Sequence, residues 1–529
     1  MKLCARTYRE ALVALLAGGL LLTGCAADGT VQADRAAKGG ARPAPVAPDG
    51  GGGGSGGSGG GQSGGRPAED GGSHEGGQKR ETGGDFAPPA DFLSTFALDV
   101  DTASYGYARR TLAEGRLPEP DSVRPEEFVN SFRQDYRRPE GNGFSVSVDG
   151  ARTGSWRGAE WSLVRVGLAT RTATPRKGER PPAALTFVVD ISGSMDEPGR
   201  LDLVRESLGI LTDQLRDDDS IALVTFSDVA ETRLPMTRLA GNRDRVHDII
   251  DGLEPADSTN VEAGVRTGYD VAVKGRRSGA NNRVVLLSDA LANTGETEAD
   301  AILERIEGSR REFGITLFGV GVGSEYGDKL MERLTNRGDG HTTYVSTSAQ
   351  ARRVFVDQLP AHVELRARDA KAQVAFDPQT VEEFRLIGYE NRAVADEDFR
   401  DDRVDGGEVG PGHTVTALYA VRLREGARGH VATATVRWLD PRDRAPHEAT
   451  GTVETGGLGR DLWSAEAPPR LRISAAAAYL AQALRGAETP GAPRLDVLAE
   501  RTGALARQTE DASVRALTTA IGQADRLLG

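Results

Sequence analysis

The middle of this chain alternates short apolar segments with amphipathic ones, and this pattern constrains the fold more than any other feature. Residues 184–190 form a continuous apolar run ending in Asp190, as expected of a strand buried on both faces of a parallel sheet. From 201 to 216, leucine and valine recur every three or four residues, which predicts an amphipathic helix. Further strands are predicted at 221–226, 283–288, 315–321 and 343–345, and further helices at 243–252, 261–274, 299–313, 329–336 and 349–359. We therefore predict an α/β fold with a doubly wound, mostly parallel sheet.

Both flanks of this α/β region contain predicted β structure, at 144–148, 161–168, 374–376, 415–423 and 431–438. Because the two ends of a domain usually lie close together at its surface, we hypothesise that these strands form one shared β layer with the α/β domain inserted. The stretches 471–484 and 495–528 are rich in Ala and Leu and are predicted to be helices that serve packing. The acidic run at 396–402 is interpreted as a solvated loop.

The N-terminus has the pattern of an export signal. Three basic residues precede an apolar run over 11–22, which is too short to span a membrane. The run closes with Leu-Thr-Gly-Cys at 22–25, which resembles the bacterial lipobox and implies that Cys25 is diacylated and becomes the new N-terminus. An ordinary signal peptide with a coincidental cysteine is the alternative. We expect a protein lipid-anchored at the extracytoplasmic face of the cell membrane.

Residues 26–90 are rich in Gly, Ser and Pro and cannot build a hydrophobic core. As a flexible coil this segment has a reach on the order of 40 to 50 Å, enough to serve as a spacer. A disordered tail without a mechanical role is physically the same object. The predicted organisation is a signal peptide (1–25), a disordered linker (26–90), an N-terminal associated domain (91–180), the α/β domain (181–360) and a C-terminal associated domain, β-rich and then helical (361–529).

Oxygen-bearing side chains stand at the predicted carboxyl ends of the strands, where ligands of such sheets bind. Asp190, Ser192 and Ser194 follow the first strand, the loop 257–260 contains Thr259, and Asp289 follows the strand 283–288. Hydroxyls and carboxylates without His or Cys suit a hard divalent cation, Mg²⁺ above all, with Mn²⁺ or Ca²⁺ as alternatives. Because the site has only two carboxylates, it can leave one coordination position to water or to an acidic group of a partner.

These residues resemble the von Willebrand factor type A (VWA) domain and its metal-ion-dependent adhesion site, an Asp-x-Ser-x-Ser loop with a distant Thr and a further Asp. The resemblance implies direct ligation by Ser192, Ser194 and Thr259. It also implies that Asp190 and Asp289 act mainly through water or hydrogen bonds. The family usually has Gly after the last Asp, where this chain has Ala290.

Four segments outside the α/β region are similar to the flanking domains of bacterial YfbK-like lipoproteins. They are Asp-Val-Asp-Thr-Ala-Ser-Tyr at 99–105, Val-Arg-Pro-Glu-Glu at 123–127, Arg-Leu-Ile-Gly-Tyr-Glu-Asn-Arg at 385–392 and Gly-His-Thr-Val-Thr-Ala-Leu-Tyr at 412–419. The resemblance covers nearly everything after the linker and implies an architecture more than a task.

Charge and missing motifs exclude several functional classes. The formal net charge of −13 argues against a general nucleic-acid binder, which would show a basic footprint. The sequence has no phosphate-binding Gly-x-x-x-x-Gly-Lys, no His-Glu-x-x-His and no Gly-x-Ser-x-Gly, so an enzyme is disfavoured. The leading hypothesis is a binding protein whose metal site coordinates an acidic group on a protein partner, without a small-molecule cofactor. A structural or scaffold protein with a vestigial metal site is the alternative.

Overall fold

A computed structural model describes residues 91–529 except 173–180, 257, 290–295, 324–330, 332–333, 336–340, 346, 353, 356–364, 405 and 442. The predicted signal peptide, Cys25, the linker and Ala290 therefore lie outside the described residues, and the domain boundaries at 90, 180 and 360 stay predictions. Among the helices that the structure describes, none combines the length and apolar character needed to cross a membrane.

The elements follow one another in three groups. The N-terminal flank contains β1 (Leu93–Ala97), α1 (Ala103–Ala113), α2 (Pro125–Asn130), β2 (Phe144–Trp156) and β3 (Ala159–Thr170). The α/β region contains β4 (Ala183–Asp190), α3 (Leu201–Gln214), β5 (Ser220–Phe226), β6 (Ala230–Arg238), α4 (Arg243–Asp251), α5 (Val261–Lys274), β7 (Asn281–Ser288), α6 (Glu296–Phe313), β8 (Thr316–Val322), β9 (His341–Val345) and α7 (Ser348–Arg352). The C-terminal flank contains β10 (Ala367–Phe376), β11 (Val381–Ile387), β12 (Gly407–Val409), β13 (Thr414–Leu423), β14 (His430–Leu439), β15 (Pro446–Glu454), α8 (Pro469–Leu484), α9 (Leu495–Thr509) and α10 (Ala512–Leu528).

The α/β region is built on one six-stranded sheet with the order β6-β5-β4-β7-β8-β9. All neighbouring strands are parallel except β6, which pairs antiparallel with β5 at the edge. Helices α3 and α4 pack on one face and α5 and α6 on the other, so the central strands are buried on both faces and read as continuous apolar runs. The predicted doubly wound, mostly parallel α/β sheet is confirmed, while the edge strand β6 was not predicted.

The strands and helices predicted for this region agree with the structure to within three residues at each end where both ends are described. The helix predicted at 329–336 falls largely outside the described residues, and the one predicted at 349–359 begins as α7 and continues outside them. The chain leaves the central strand β4 toward β5 and later returns to its other side at β7. The carboxyl ends of β4 and β7 therefore flank the switch point of the sheet, where such folds bind ligands.

The two flanks share their sheets. Strand β1 pairs with β10, and β3 pairs with β13, both antiparallel. One sheet has the order β1-β10-β14-β15 with β12 on β10, and the other has the order β11-β13-β3-β2. Apolar side chains from both sheets form one core. The hypothesis that the flanks share β structure is confirmed, with the difference that the strands form two facing sheets rather than one layer.

The C-terminal helices complete a second core with α1 and α2. Helix α8 carries Ala475, Ala476, Ala477 and Ala478, all without exposed surface, and these small side chains let neighbouring elements approach closely. The single helical stretch predicted at 495–528 is wrong in one respect, because Glu510 adopts a left-handed conformation (φ 52°) and separates α9 from α10. The sequence predicted that these helices serve packing, and their burial agrees with that prediction.

The flank motifs meet at a buried carboxyl group. Glu126, on α2, is 1% exposed, and its Oε2 accepts the Tyr389 N–H at 3.0 Å. The neighbouring Gly388 has φ +87°, and a Cβ there would lie 2.3 Å from Glu126 Oε2, so only glycine fits. Burial raises the pKa of Glu126 to about 7, and the negative charges of Glu390 and Asp99 act in the same direction. Ionisation of this carboxyl group, which joins the two flanks, is therefore unfavourable.

We expect Glu126→Gln to stabilise the folded chain in alkaline solution. Folding raises the pKa of Glu126 from its ordinary value of 4.5 to about 7, so the folded state binds this proton more tightly than the unfolded state. The wild-type free energy of unfolding should fall as pH rises through that interval, and Gln removes this dependence. Above pH 7 the variant should gain on the order of 3 kcal/mol, and it should gain nothing near pH 4. Urea unfolding across this pH range measures the difference, with Glu425→Gln on an exposed turn as control. Equal pH slopes for Glu126→Gln and wild type would contradict the expectation.

Two buried polar contacts fix the α/β region to the flanks. The Asp101 carboxylate accepts the N–H of Thr342, on strand β9, at 3.1 Å. Arg283, on β7, and Glu408, on β12, form an ion pair at 2.9 Å with side chains only 4% and 3% exposed. The α/β region is thus held by specific contacts in addition to the chain connections.

Candidate metal centre

Backbone hydrogen bonds draw the loops at the carboxyl ends of the strands together. Ile191 N–H, after β4, donates to Phe226 O at the end of β5 at 3.0 Å. Ala256 N–H donates to Ile191 O at 2.6 Å, and Asn260 N–H donates to Ser227 O at 2.7 Å. The loops that contain the predicted site residues therefore form one edge, as expected from parallel strands.

Asp190 is fully buried and organises this edge. Its Oδ1 accepts the Ser192 N–H at 2.8 Å, and its Oδ2 accepts the Ser288 hydroxyl at 2.5 Å. Burial raises the pKa of Asp190 to about 6, while the hydrogen bonds from Ser192 and Ser288 act in the opposite direction. Asp190 thus ties the end of β4 to the end of β7 and fixes the turn that presents the two serines.

Three oxygen atoms line up beside Asp190. Ser192 Oγ lies 3.1 Å from Ser194 Oγ, and the Ser194 hydroxyl donates to Asp289 Oδ1 at 3.0 Å. Adjacent ligands of an octahedral Mg²⁺ with bonds of about 2.1 Å are about 3 Å apart, since the edge of an octahedron is √2 times the bond. The two distances are those of hydrogen bonds and are also compatible with the ligands of a hard divalent cation.

Thr259 takes a different place. It is half-buried in the loop between Ala256 and Asn260, and the Asn260 side chain caps α5 by accepting the Ala263 N–H at 3.0 Å. Hydrogen bonds among the described residues join Asp190, Ser192, Ser194 and Asp289 in one network that does not include Thr259. The structure joins four of the five predicted residues by hydrogen bonds, and Thr259 lies in the loop that Ala256 and Asn260 tie to the same edge of the sheet.

Arg200 and Ser288 are site residues that the sequence analysis missed. The Arg200 guanidinium pairs with Asp289 Oδ2 and donates to Ser194 O at 2.9 Å, with 8% of its side chain exposed. The signal for Ser288 was its place as the last residue of a predicted strand directly before Asp289. No sequence signal pointed to Arg200. It lies in a loop before α3, and nothing in the sequence around it distinguishes it from an exposed arginine.

The donor set consists of hydroxyl and carboxylate oxygens, which suits Mg²⁺ and excludes a thiolate or imidazole site. In the part of the chain that the structure describes, no group of three or more His, Cys, Asp or Glu side chains could hold a metal ion. By the chemistry of their oxygen atoms, Asp190, Ser192, Ser194 and Asp289 suit a hard divalent cation, and their spacing is compatible with one.

The N-terminal flank reaches the same edge of the sheet. Arg110, on α1, donates from Nη1 to the carbonyl of Gly323 at 3.5 Å, and its guanidinium lies 4.0 Å from the centre of the Tyr344 ring. Gly323 follows β8, and Tyr344 is on β9. The surface around the site is therefore built by the flank as well as by the α/β region.

Comparisons with known proteins agree with this architecture. Three family models match: "von Willebrand factor type A domain" over 184–357, "Uncharacterized protein YfbK, C-terminal" over 363–525, and "von Willebrand factor" over 79–165. The uncharacterized protein YfbK of Escherichia coli (strain K12) is 35% identical over 417 residues, covering 75% of this chain and 72% of that protein. The uncharacterized protein sll0103 of Synechocystis is 23% identical over 199 residues, covering 37% of this chain and 46% of that protein. A solved von Willebrand factor type A structure from Catenulispora acidiphila has a TM-score of 0.47 at 14% identity, covering 73% of this chain and 91% of that one.

Proposed function

Because this chain belongs to the family of the uncharacterized protein YfbK and contains a von Willebrand factor type A domain, we propose that it is a metal-dependent binding protein. Its site would hold Mg²⁺, with Mn²⁺ or Ca²⁺ as alternatives, and coordinate an acidic group on a protein partner. The proposed process is coordination without chemical turnover. We also propose that Cys25 carries lipid and anchors the protein at the extracytoplasmic face of the cell membrane, which the lipobox sequence supports.

The observation that carries the proposal is the convergence of Asp190, Ser192, Ser194 and Asp289 in one hydrogen-bonded network at the carboxyl ends of β4 and β7. A bound divalent cation would supply Lewis acidity and a positive charge that attracts a carboxylate. Ser192 and Ser194 would offer their hydroxyl oxygens. Asp190 fixes the loop of Ser192, and Asp289 orients Ser194. Thr259 stays a proposed ligand on the strength of the family pattern.

The edge of the sheet around these residues is open to a partner. Gly193 and Ser258 are exposed, and Ser194 is half-buried. Val229, in the turn after β5, is 59% exposed, which is unusual for a large apolar side chain in this structure. In addition to coordinating the cation through a carboxylate, a protein partner would cover Val229 with an apolar group.

A second candidate function, a scaffold with a vestigial metal site, is favoured by one observation. The guanidinium of Arg200 already balances the charge of Asp289. In a vestigial site this ion pair would take the place of the cation, and the α/β domain would contribute structure alone. Metal binding by the wild-type chain separates the two candidates.

We expect Mg²⁺ or Mn²⁺ to raise the thermal unfolding midpoint of the whole chain relative to EDTA. Binding to the folded state alone stabilises it by about 2.7 kcal/mol when the free metal is at a hundredfold excess over its Kd. Ser192→Ala should abolish this rise, because it removes the hydroxyl of one proposed ligand. Ser513→Ala, an exposed serine on α10, should retain the full rise. If wild type shows no metal-dependent rise, the scaffold candidate replaces the proposed function.

A further inference from the structure

Arg200 contacts three groups at the candidate metal centre, namely two carboxylates and one backbone carbonyl. Its Nη1 contacts Asp289 Oδ2 and donates to Ser194 O at 2.9 Å, while Nη2 lies 2.6 Å from Glu197 Oε2. Asp289 is 2% exposed, whereas the Glu197 side chain is 64% exposed. The strong partner of Arg200 is therefore the buried carboxylate, because an exposed ion pair is weakened by water and salt.

The position of the Arg200 side chain is fixed by the end of β8. A Cβ on Gly323 would lie 2.9 Å from Arg200 Nε and 3.1 Å from Arg200 Cγ. Gly323 has φ +91°, a conformation that favours glycine, and its N–H donates to Val345 O at 3.1 Å. The backbone thus leaves room for this arginine, and the guanidinium is a built part of the site rather than a loose surface group.

The buried charges of the site do not cancel. Asp190 and Asp289 contribute two negative charges when ionised, and Arg200 contributes one positive charge, which leaves −1. A divalent cation alone would change this sum to +1, and one added carboxylate would then bring it to zero. Without Arg200, the charges of the two carboxylates and the divalent cation would already sum to zero. Excess charge is costly where the surroundings are poorly solvated, so the neutral state is favoured.

We infer that Arg200 sets the charge balance of this site, so that the site is neutral when it holds both a divalent cation and one acidic group. The cation and the acidic group therefore bind cooperatively. This inference rests on the proposed function and adds its regulation. Metal alone binds weakly because Arg200 repels it and shares Asp289 with it. An acidic group of the partner restores neutrality and strengthens the hold on the metal. By linkage, the metal strengthens the binding of the acidic group by the same factor.

The test is calorimetric titration of the whole chain with Mn²⁺ at pH 8, in chloride and in acetate buffers of equal ionic strength. Acetate serves as the probe for an acidic group. Wild type should bind Mn²⁺ more tightly in acetate than in chloride. Arg200→Met should bind Mn²⁺ at least about tenfold more tightly than wild type in chloride, and acetate should no longer help. Arg200→Lys keeps the charge and should retain the acetate effect. Arg305→Met, on α6 and 43% exposed, removes the same charge elsewhere in the domain and should match wild type.

The outcomes separate this inference from the proposed function. Equal Mn²⁺ affinities and equal acetate effects in wild type and Arg200→Met overturn the role of Arg200 and leave metal binding standing. Binding of Mn²⁺ to Arg200→Met, with none to wild type even in acetate, shows that Arg200 closes the site, which overturns both. Absence of binding in every variant also overturns both. Unfolding midpoints in EDTA identify a variant that fails to fold. If Arg200→Met does not fold, Arg200→Gln, which also removes the charge at position 200, takes its place in the comparison.

Discussion

Glu408→Ala should destabilise the chain by about 3–5 kcal/mol, since removing one partner leaves the other charge in a buried place without that counter-charge. Glu408 is 3% exposed, and its Oε2 accepts Arg283 Nη2–H at 2.9 Å. Arg283 Nε also donates to Thr316 Oγ1 at 2.8 Å, so the guanidinium is fixed between β7, β8 and β12. The loss of Glu408 should also loosen the α/β region from the flanks. Chemical unfolding, followed at several wavelengths, measures both effects.

Two further variants make this expectation specific. Glu488→Ala removes a carboxylate of an exposed ion pair with Arg157, with side chains 69% and 61% exposed, and should cost at most about 1 kcal/mol. The double variant Arg283→Met with Glu408→Leu replaces both charges by apolar groups and should recover much of the lost stability. A Glu408→Ala variant no less stable than Glu488→Ala would show that the buried pair is not a structural link.

Lys371→Met should be the second strongly destabilising change, by about 3 kcal/mol or more. Lys371, on β10, is 1% exposed, and its ammonium group donates to the carbonyls of Asp401 and Val404 at 2.6 Å each and of Asp398 at 3.3 Å. Methionine fills a similar volume but leaves three carbonyl groups without this donor. Thermal unfolding measures the loss, and proteolysis of the segment 396–404 should accelerate.

The control for this variant is Lys274→Met, at the exposed end of α5, which should change stability by less than about 0.5 kcal/mol. A similar small effect at both lysines would mean that water replaces the ammonium group at no cost. The acidic run at 396–402, interpreted from the sequence as a solvated loop, thus has a structural role for its backbone. The acidic side chains of this run led to the interpretation as a solvated loop. The role of its backbone carbonyls became evident only from the structure, in which Lys371 donates hydrogen bonds to them.

The α/β sheet was predictable because each central strand is buried on both faces and each helix on one, so that burial leaves a periodic pattern in the sequence. Strand β6 lies at the sheet edge with several exposed side chains, and it carries no such pattern. Likewise, β11 and β15 were not predicted. Almost all positions of β15 are exposed or half-buried, and in β11 Glu382, Glu383 and Arg385 interrupt the apolar residues. The pairing of β1 with β10 joins residues far apart in sequence, and no local signal encodes it.

At the site, the sequence predicted those residues whose roles depend on strand ends. Asp190 ends a buried strand, and Ser192, Ser194 and Asp289 follow one, so the topology of the sheet brings them together. Arg200 depends instead on the space left by Gly323, which follows another strand, and such a contact has no spacing rule. Glu126 was part of a recognised motif, but its burial against Gly388 and Tyr389 depends on how the two flanks meet.

The pairing of β1 with β10 has a mechanical consequence for a protein that is pulled. Force transmitted along the chain from before residue 91 enters β1 at Leu93, which pairs with Ala375. Force from the α/β region along its C-terminal connection enters β10 at Ala367, beyond the opposite end of the pair, where Ala97 meets Lys371. The two strands are therefore loaded in shear, and their hydrogen bonds share the load instead of opening one after another like a zipper.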